Sequence, residues 1–277
     1  MEHIKRNERL TVLAQILMSA PNSIHNYSEF CNLFSTAKST VSEDIDLLAE
    51  AFAHFDKGMI ETIAGAAGGV RYRPVMSGAN VRTTLESVCA RLSESGRLLP
   101  GGYLYTSDIA SDPVITESLG NIIASKYYNN SPDFVLTMET KGIPLALMTA
   151  RALGVRLVVA RRDSKVYEGS AVKINYSSGR DSEHVETMAL ARRAVKEGER
   201  ALIIDDFAKG GGTLHGMRDM MREFGVYVCG TDVLIATAEC AQRMKDEMTP
   251  LMILDGSDKA ANSCKVVPNL GYIKAEY

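Results

Sequence analysis

The sequence has no tryptophan, few aromatic residues and no apolar run of transmembrane length. A membrane-spanning helix is therefore not expected. Its five cysteines are an odd number with no C-x-x-C pair. That argues against a disulfide framework or a zinc site and points to a reducing, cytoplasmic setting. No apolar core follows the charges of MEHIKRNERL, so no signal peptide is expected. The Walker pattern G-x-x-x-x-G-K-[ST] is missing as well, which excludes a P-loop. Net charge is −3, so bulk charge gives no general attraction to polyanions.

What is present divides into two blocks. Residues 1–74 read as short helices followed by a hairpin, 75–102 as a helical linker, and 103–277 as an α/β domain. Val81, Leu85, Val88 and Leu92 space as one helical face in the linker, which ends at Pro100-Gly101-Gly102. In the α/β block, Asp112-Pro113 opens a helix as N-cap and first-turn proline. DFVLTM (133–138) is a continuous apolar run, as in a strand buried on both faces. A helix over 144–153 and a strand over 155–160 follow, a unit that implies a parallel sheet. The spacing then predicts a helix over 183–197 ending at Gly198, a strand over 201–204, a helix over 213–224 ending at Gly225, and a strand from Tyr227.

The most informative stretch is ALIIDDFAKGGGT, residues 201–213. Ala208, Lys209, Gly210, Gly211, Gly212 and Thr213 form a turn at a helix N-terminus, where free N–H groups and the helix dipole favour an anion. Asp205 and Asp206 precede it. Ionised carboxylates only accept hydrogen bonds, so beside a phosphate cradle they suit a sugar diol. The combination predicts a ribose 5-phosphate site at the carboxyl end of a strand.

This stretch resembles the phosphoribosylpyrophosphate (PRPP) motif of the type I phosphoribosyltransferases. The resemblance implies a mostly parallel sheet with helices on both faces, and a diphosphate loop after an earlier strand. ETKGIP (139–144) fits that slot, with Thr140, Lys141 and Gly142 facing the diphosphate. In this family the loop often holds a non-proline cis peptide. Lys165, after the strand over 155–160, reads either as a further diphosphate cation or as a solvated loop lysine. Val172, Ile174 and Tyr176 alternate in a β arm over 166–182, which either closes over the sugar or serves dimer packing. Phe207 and Tyr103 are candidates for stacking on a base, or for ordinary packing. Some transferases carry an acid at the position of Lys209, which as a protonated amine cannot act as a base; others carry alanine. No catalytic residue and no metal ligand are assigned.

In the first block, Leu10, Leu13, Ala14 and Leu17 form a helical stripe that stops at Pro21. Asn26-x-x-Glu29 has the spacing of a capping box for a second helix. Val41, Ile45, Leu48 and Phe52 mark a third, with Thr40-x-x-Glu43 at its start. Two short helices across the Ser35-Thr36-Ala37 turn make a helix-turn-helix. MIETIAG and GVRYRPV flank a glycine-rich tip, as in a hairpin wing. Together they predict a winged helix whose DNA contacts are Arg6, Lys38, Ser39, Thr40, Ser42, Arg71 and Arg73. Residues 1–74 hold seven Lys and Arg against nine Asp and Glu, so any positive footprint is local. The acids Glu43, Asp44, Asp46 and Glu50 read as the back of the third helix.

AKSTVSEDI, GAAGGVRYRP, LPGGYLY, ETKGIP and DDFAKGGGT occur in this order, and with them the whole chain resembles the purine operon repressor family of Gram-positive bacteria. Gly210 departs from that pattern, standing where relatives are often bulkier. The resemblance implies a cytoplasmic homodimer that binds double-stranded DNA at purine gene control regions, takes PRPP as effector with or without Mg2+, and has no transferase activity. A guanine nucleotide carrying diphosphates is a candidate competitor. The alternative is a purine phosphoribosyltransferase with an appended helical domain.

Overall fold

The computed structural model describes residues 4–65, 68–99, 103–162, 169–177, 185–258 and 263–273. The chain forms two compact units, residues 1–77 with 151–154, and the rest from Gly78.

The first unit contains α1 (Arg6–Ser19), α2 (Tyr27–Phe34), α3 (Lys38–His54), β1 (Met59–Ile63) and β2 (Gly69–Arg73). Its core joins Leu13 and Leu17 of α1, Phe30 and Phe34 of α2, the Val41–Ile45–Leu48–Phe52 stripe of α3, and Val70 and Tyr72 of the hairpin. The expected turn is there, with Ser35 in the left-handed region between α2 and α3. β1 and β2 pair antiparallel from Met59–Arg73 to Ile63–Gly69. This is the winged helix-turn-helix arrangement.

Two local expectations change. Neither α2 nor α3 has a side-chain cap, and α3 begins at Lys38 after Ala37, so Thr40 lies inside its first turn. Asp44 is not on a solvated back face. It is fully buried, accepting from Arg9 Nε at 2.6 Å and Arg6 Nε at 2.9 Å. Burial opposes its charge, but the two guanidinium hydrogen bonds outweigh that and hold its carboxyl below the ordinary value.

The second unit contains α4 (Gly78–Leu92), β3 (Leu98–Leu99), β4 (Tyr103–Leu104), α5 (Ser107–Ala110), α6 (Pro113–Ser125), β5 (Phe134–Met138), α7 (Ile143–Leu153), β6 (Arg156–Ala160), β7 (Ala171–Ser177), β8 (Val185–Ala191), β9 (Arg200–Ala208), α8 (Gly212–Glu223), β10 (Tyr227–Thr237), α9 (Ala238–Arg243), β11 (Thr249–Asp258) and β12 (Ser263–Pro268). One six-stranded sheet runs β12-β11-β10-β9-β5-β6. All its pairings are parallel except β11 with β12.

α4 was expected in a linker, yet it belongs to this unit. Its apolar face is buried, the Cys264 thiol of β12 donates to Leu92 O, and the Ser93 hydroxyl accepts from Val266 N. Asp112 caps α6 through the N–H groups of Val114 and Ile115. The helix expected over 183–197 is replaced by β8, which pairs residue for residue with β7 from Ala171–Ala191 to Ser177–Val185. The run Met188-Ala189-Leu190 suits a helix by local propensity, but pairing to a neighbouring strand overrides such preferences.

Asp44→Ala leaves the buried Arg9 without its carboxylate. It should destabilise the first unit by about 3 kcal/mol, read as a lower urea midpoint. Because the folded carboxyl titrates below its unfolded value of 3.8, wild-type stabilisation from this group is full above that pH and is lost as pH falls through the lower folded value. Asp44→Asn should remove this acid dependence; an unchanged midpoint for both variants would refute the role.

Candidate functional site

β9 lies between β5 and β10, and its last residues are Asp205, Asp206, Phe207 and Ala208. The strand is longer than the four residues expected, because parallel pairing continues through Val233–Asp205 to Ala236–Ala208. The acid pair therefore sits within the strand end rather than in the loop. Asp205 is buried, and its Oδ1 accepts the Asp206 N–H at 2.9 Å. Burial first, and the Asp206 charge second, push the Asp205 carboxyl well above the usual carboxylate range.

The chain leaves β9 through Lys209-Gly210-Gly211 and enters α8 at Gly212. Gly211 caps the helix with φ +76°, a left-handed conformation natural to glycine. Tyr103, Asp205, Phe207 and residues 208–214 line one cavity of about 330 Å³. Every candidate phosphate residue from Ala208 to Thr213 thus lines it, whereas Asp206 is half-buried and is not among its lining residues. Tyr103 and Phe207 line it too, and the Lys209 ammonium stands 5.1 Å from the centre of the Tyr103 ring.

The 139–142 loop meets the acid pair through Gly142. A Cβ on Gly142 would stand 2.6 Å from Thr137 Oγ1 and 3.4 Å from Asp205 Oδ1. Thr140 and Lys141 are exposed beside it, and the Glu139–Thr140 peptide is cis. Glu139 accepts from Arg162 N at 2.8 Å and pairs with Arg161 at 3.8 Å. The sequence reading assigned Glu139 no role. Lys165 lies outside the described residues.

The β arm also reaches this region. Tyr176 donates to Glu186 at 2.7 Å, and a Cβ on Gly216 of α8 would stand 3.0 Å from Tyr176 Cβ. Burial and Glu186 push the Tyr176 hydroxyl up to about 12 against smaller opposing effects of Thr213 and Arg162.

In the winged unit, Lys38, Ser42, Tyr27 and Thr62 line a groove between the start of α3 and the hairpin. Lys38 Nζ stands 5.4 Å from the Tyr27 ring centre, and Tyr27 and Thr62 are joined by a hydroxyl contact of 3.5 Å. Ser39 is exposed and Thr40 half-buried. Tyr27 and Thr62 were not singled out from the sequence, where nothing distinguishes them from core or strand residues. The arginines depart from expectation. Arg73 is buried, donating to Asn22 and pairing with Glu61, so it is a structural residue and not a DNA-facing one. Arg71 pairs with Glu61 at 2.8 Å, and Arg6 with Glu43 and Asp44.

Residues 5–74 match the family profile described as bacterial purine repressor, N-terminal, and residues 109–267 match the phosphoribosyl transferase domain. The chain is 38% identical over 262 residues to the purine biosynthesis transcriptional repressor PurR of Bacillus subtilis, covering 95% of this chain and 92% of that one.

The chain belongs to the bacterial purine repressor family.

A second member at 38% identity over 263 residues is named a purine biosynthesis transcriptional activator, PurR of Lactococcus lactis, covering 95% of this chain and 97% of that one. Among solved structures, adenine phosphoribosyltransferase from Thermoanaerobacter pseudethanolicus aligns over 61% of this purine repressor family member and 98% of its own chain. That alignment has a TM-score of 0.53 and 20% identity, which shows the shared fold.

Gly142→Ala forces a methyl group onto the buried Thr137 hydroxyl. It should cost about 1–3 kcal/mol, seen as a fall of several degrees in Tm by scanning calorimetry. An unchanged Tm would show that the loop has room to move away from β5.

Proposed function

We propose that this protein is a DNA-binding repressor of purine-biosynthesis genes. It senses PRPP in the phosphoribosyltransferase-like pocket, and a filled pocket weakens its hold on DNA. The observation that carries this reading is a cavity lined by both Asp205 and the glycine cradle, in a chain that also carries a winged helix. PRPP offers ribose hydroxyls to Asp205 and Asp206, its 5-phosphate to residues 208–213, and its diphosphate to Thr140, Lys141 and Gly142. Magnesium can accompany the diphosphate. A guanine nucleotide bearing diphosphates has the same groups and would compete, its base lying near Tyr103 and Phe207. The functional unit is a homodimer, which offsets the weak net charge of each winged domain.

Repression rather than activation follows the repressor named in Bacillus subtilis; the Lactococcus lactis relative carries the opposite sign in its name. Loss of transferase activity is supported by Lys209, a cation where some transferases keep an acid. The intact cavity favours one rival, a working purine phosphoribosyltransferase. Mixing the protein with magnesium-PRPP and each common purine base tests it: no pyrophosphate should be released, and catalytic release with any base would establish the enzyme.

On DNA, Lys38 and the serines and threonine at the start of α3 supply phosphate and groove contacts. Lys38→Ala should weaken binding to all sequences alike and reduce the salt slope by about one, measured by anisotropy at several salt concentrations. Arg73→Ala should instead lower thermal stability. A Lys38→Ala slope equal to wild type would remove that residue from the interface. The double variant Asp205→Ala, Asp206→Ala should keep DNA affinity and lose the response to PRPP. A double variant that still releases DNA on adding PRPP would overturn the pocket assignment.

A further inference from the structure

Three glycines in a row, Gly210-Gly211-Gly212, leave the phosphate loop without side chains to fix its backbone, and glycine has the most conformational freedom to lose on ordering. A cradle of N–H groups recognises an anion best when the groups are already aimed, so something outside the loop must restrain it. α9 supplies that restraint. Its first turn is capped by Thr237, whose hydroxyl accepts from Cys240 N. Its last residue, Arg243, donates from Nη2 to the Gly210 carbonyl at 2.9 Å. The following residue, Met244, is buried against the same loop, and a Cβ on Gly211 would stand 2.2 Å from its sulfur. The Cys240 thiol in turn lies 3.8 Å from that sulfur.

A trans peptide holds its carbonyl and N–H in one plane, pointing in opposite directions. By engaging the Gly210 oxygen, Arg243 therefore turns the Gly211 N–H the other way, while the loop residues line the cavity. We propose that Arg243 is a positioning residue of the phosphate cradle. It does not touch the ligand but holds the Gly210 peptide in the orientation that binds a 5-phosphate. The proposal rests on the reading of the pocket as a ribose 5-phosphate site.

Calorimetric titration of the full-length protein with ribose 5-phosphate, and separately with pyrophosphate, tests it. Arg243→Ala should weaken ribose 5-phosphate about tenfold, the effect of one charge-assisted hydrogen bond, and leave pyrophosphate unchanged. Gly210 is not among the glycines with positive φ, so alanine there restricts the loop without forcing a left-handed conformation. Adding Gly210→Ala to Arg243→Ala should recover most of the loss. If Arg243→Ala does not fold, Arg243→Lys, with and without Gly210→Ala, carries the same comparison. Ribose 5-phosphate binding equal to wild type would overturn this inference alone, as would an equal loss of both ligands. A wild-type protein that binds neither ligand would overturn the pocket reading and this inference with it.

Discussion

Asp205 is a carboxylate at the end of a central strand, out of water and next to a second carboxylate. Its own burial and the Asp206 charge both disfavour ionisation, so an ionised Asp205 carries a cost. A ligand that brings hydroxyl donors to the pair relieves that cost, and a ligand that brings only negative charge increases it. The surroundings follow from this constraint. Under the proposed function, phosphate is bound by backbone N–H groups one step further along the chain, where the dipole of α8 favours an anion. Gly142 must lack a side chain, because its Cα lies against Thr137 and Asp205. Under the proposed function, the pair therefore favours a phosphorylated sugar over a bare phosphate.

The winged unit solves a different charge problem. It carries more acids than bases, yet Asp44 is removed from the surface and neutralised by Arg9 and Arg6, and Glu61 is engaged by Arg71 and Arg73. Lys38 stays exposed over Tyr27 at the start of α3. Most of the arginines are thus committed to the architecture of the unit, and a small cationic edge is left at one helix start. Such a footprint gives modest affinity per copy and a shallow dependence on salt, because few phosphates are neutralised.

The parallel sheet and the winged helix were legible because their signals are local. The apolar run at 134–138, the Asp112-Pro113 helix start and the DDFAKGGGT stretch each state an element and its end. The third-helix stripe from Val41 to Phe52 is equally plain. β8 was not legible, because Met188-Ala189-Leu190 becomes a strand only by pairing with β7. Asp44 and Arg73 were misplaced for a related reason. Both types are usually exposed, and only a partner distant in sequence, Arg9 for one and Glu61 for the other, reveals burial. Arg243 leaves no signature at all, since its target is a backbone carbonyl 33 residues away.

Under the proposed function, PRPP and DNA are coupled through this chain. Coupling in binding free energy is reciprocal, so DNA must weaken PRPP by the same factor by which PRPP weakens DNA. The decisive measurement is therefore the affinity for magnesium-PRPP of the free protein and of the protein saturated with a duplex from a purine gene control region. PRPP should bind the DNA complex more weakly, by a factor matching the loss of DNA affinity under saturating PRPP. Equal PRPP affinity in the two states would contradict it, leaving a pocket and a DNA reader in one chain without communication.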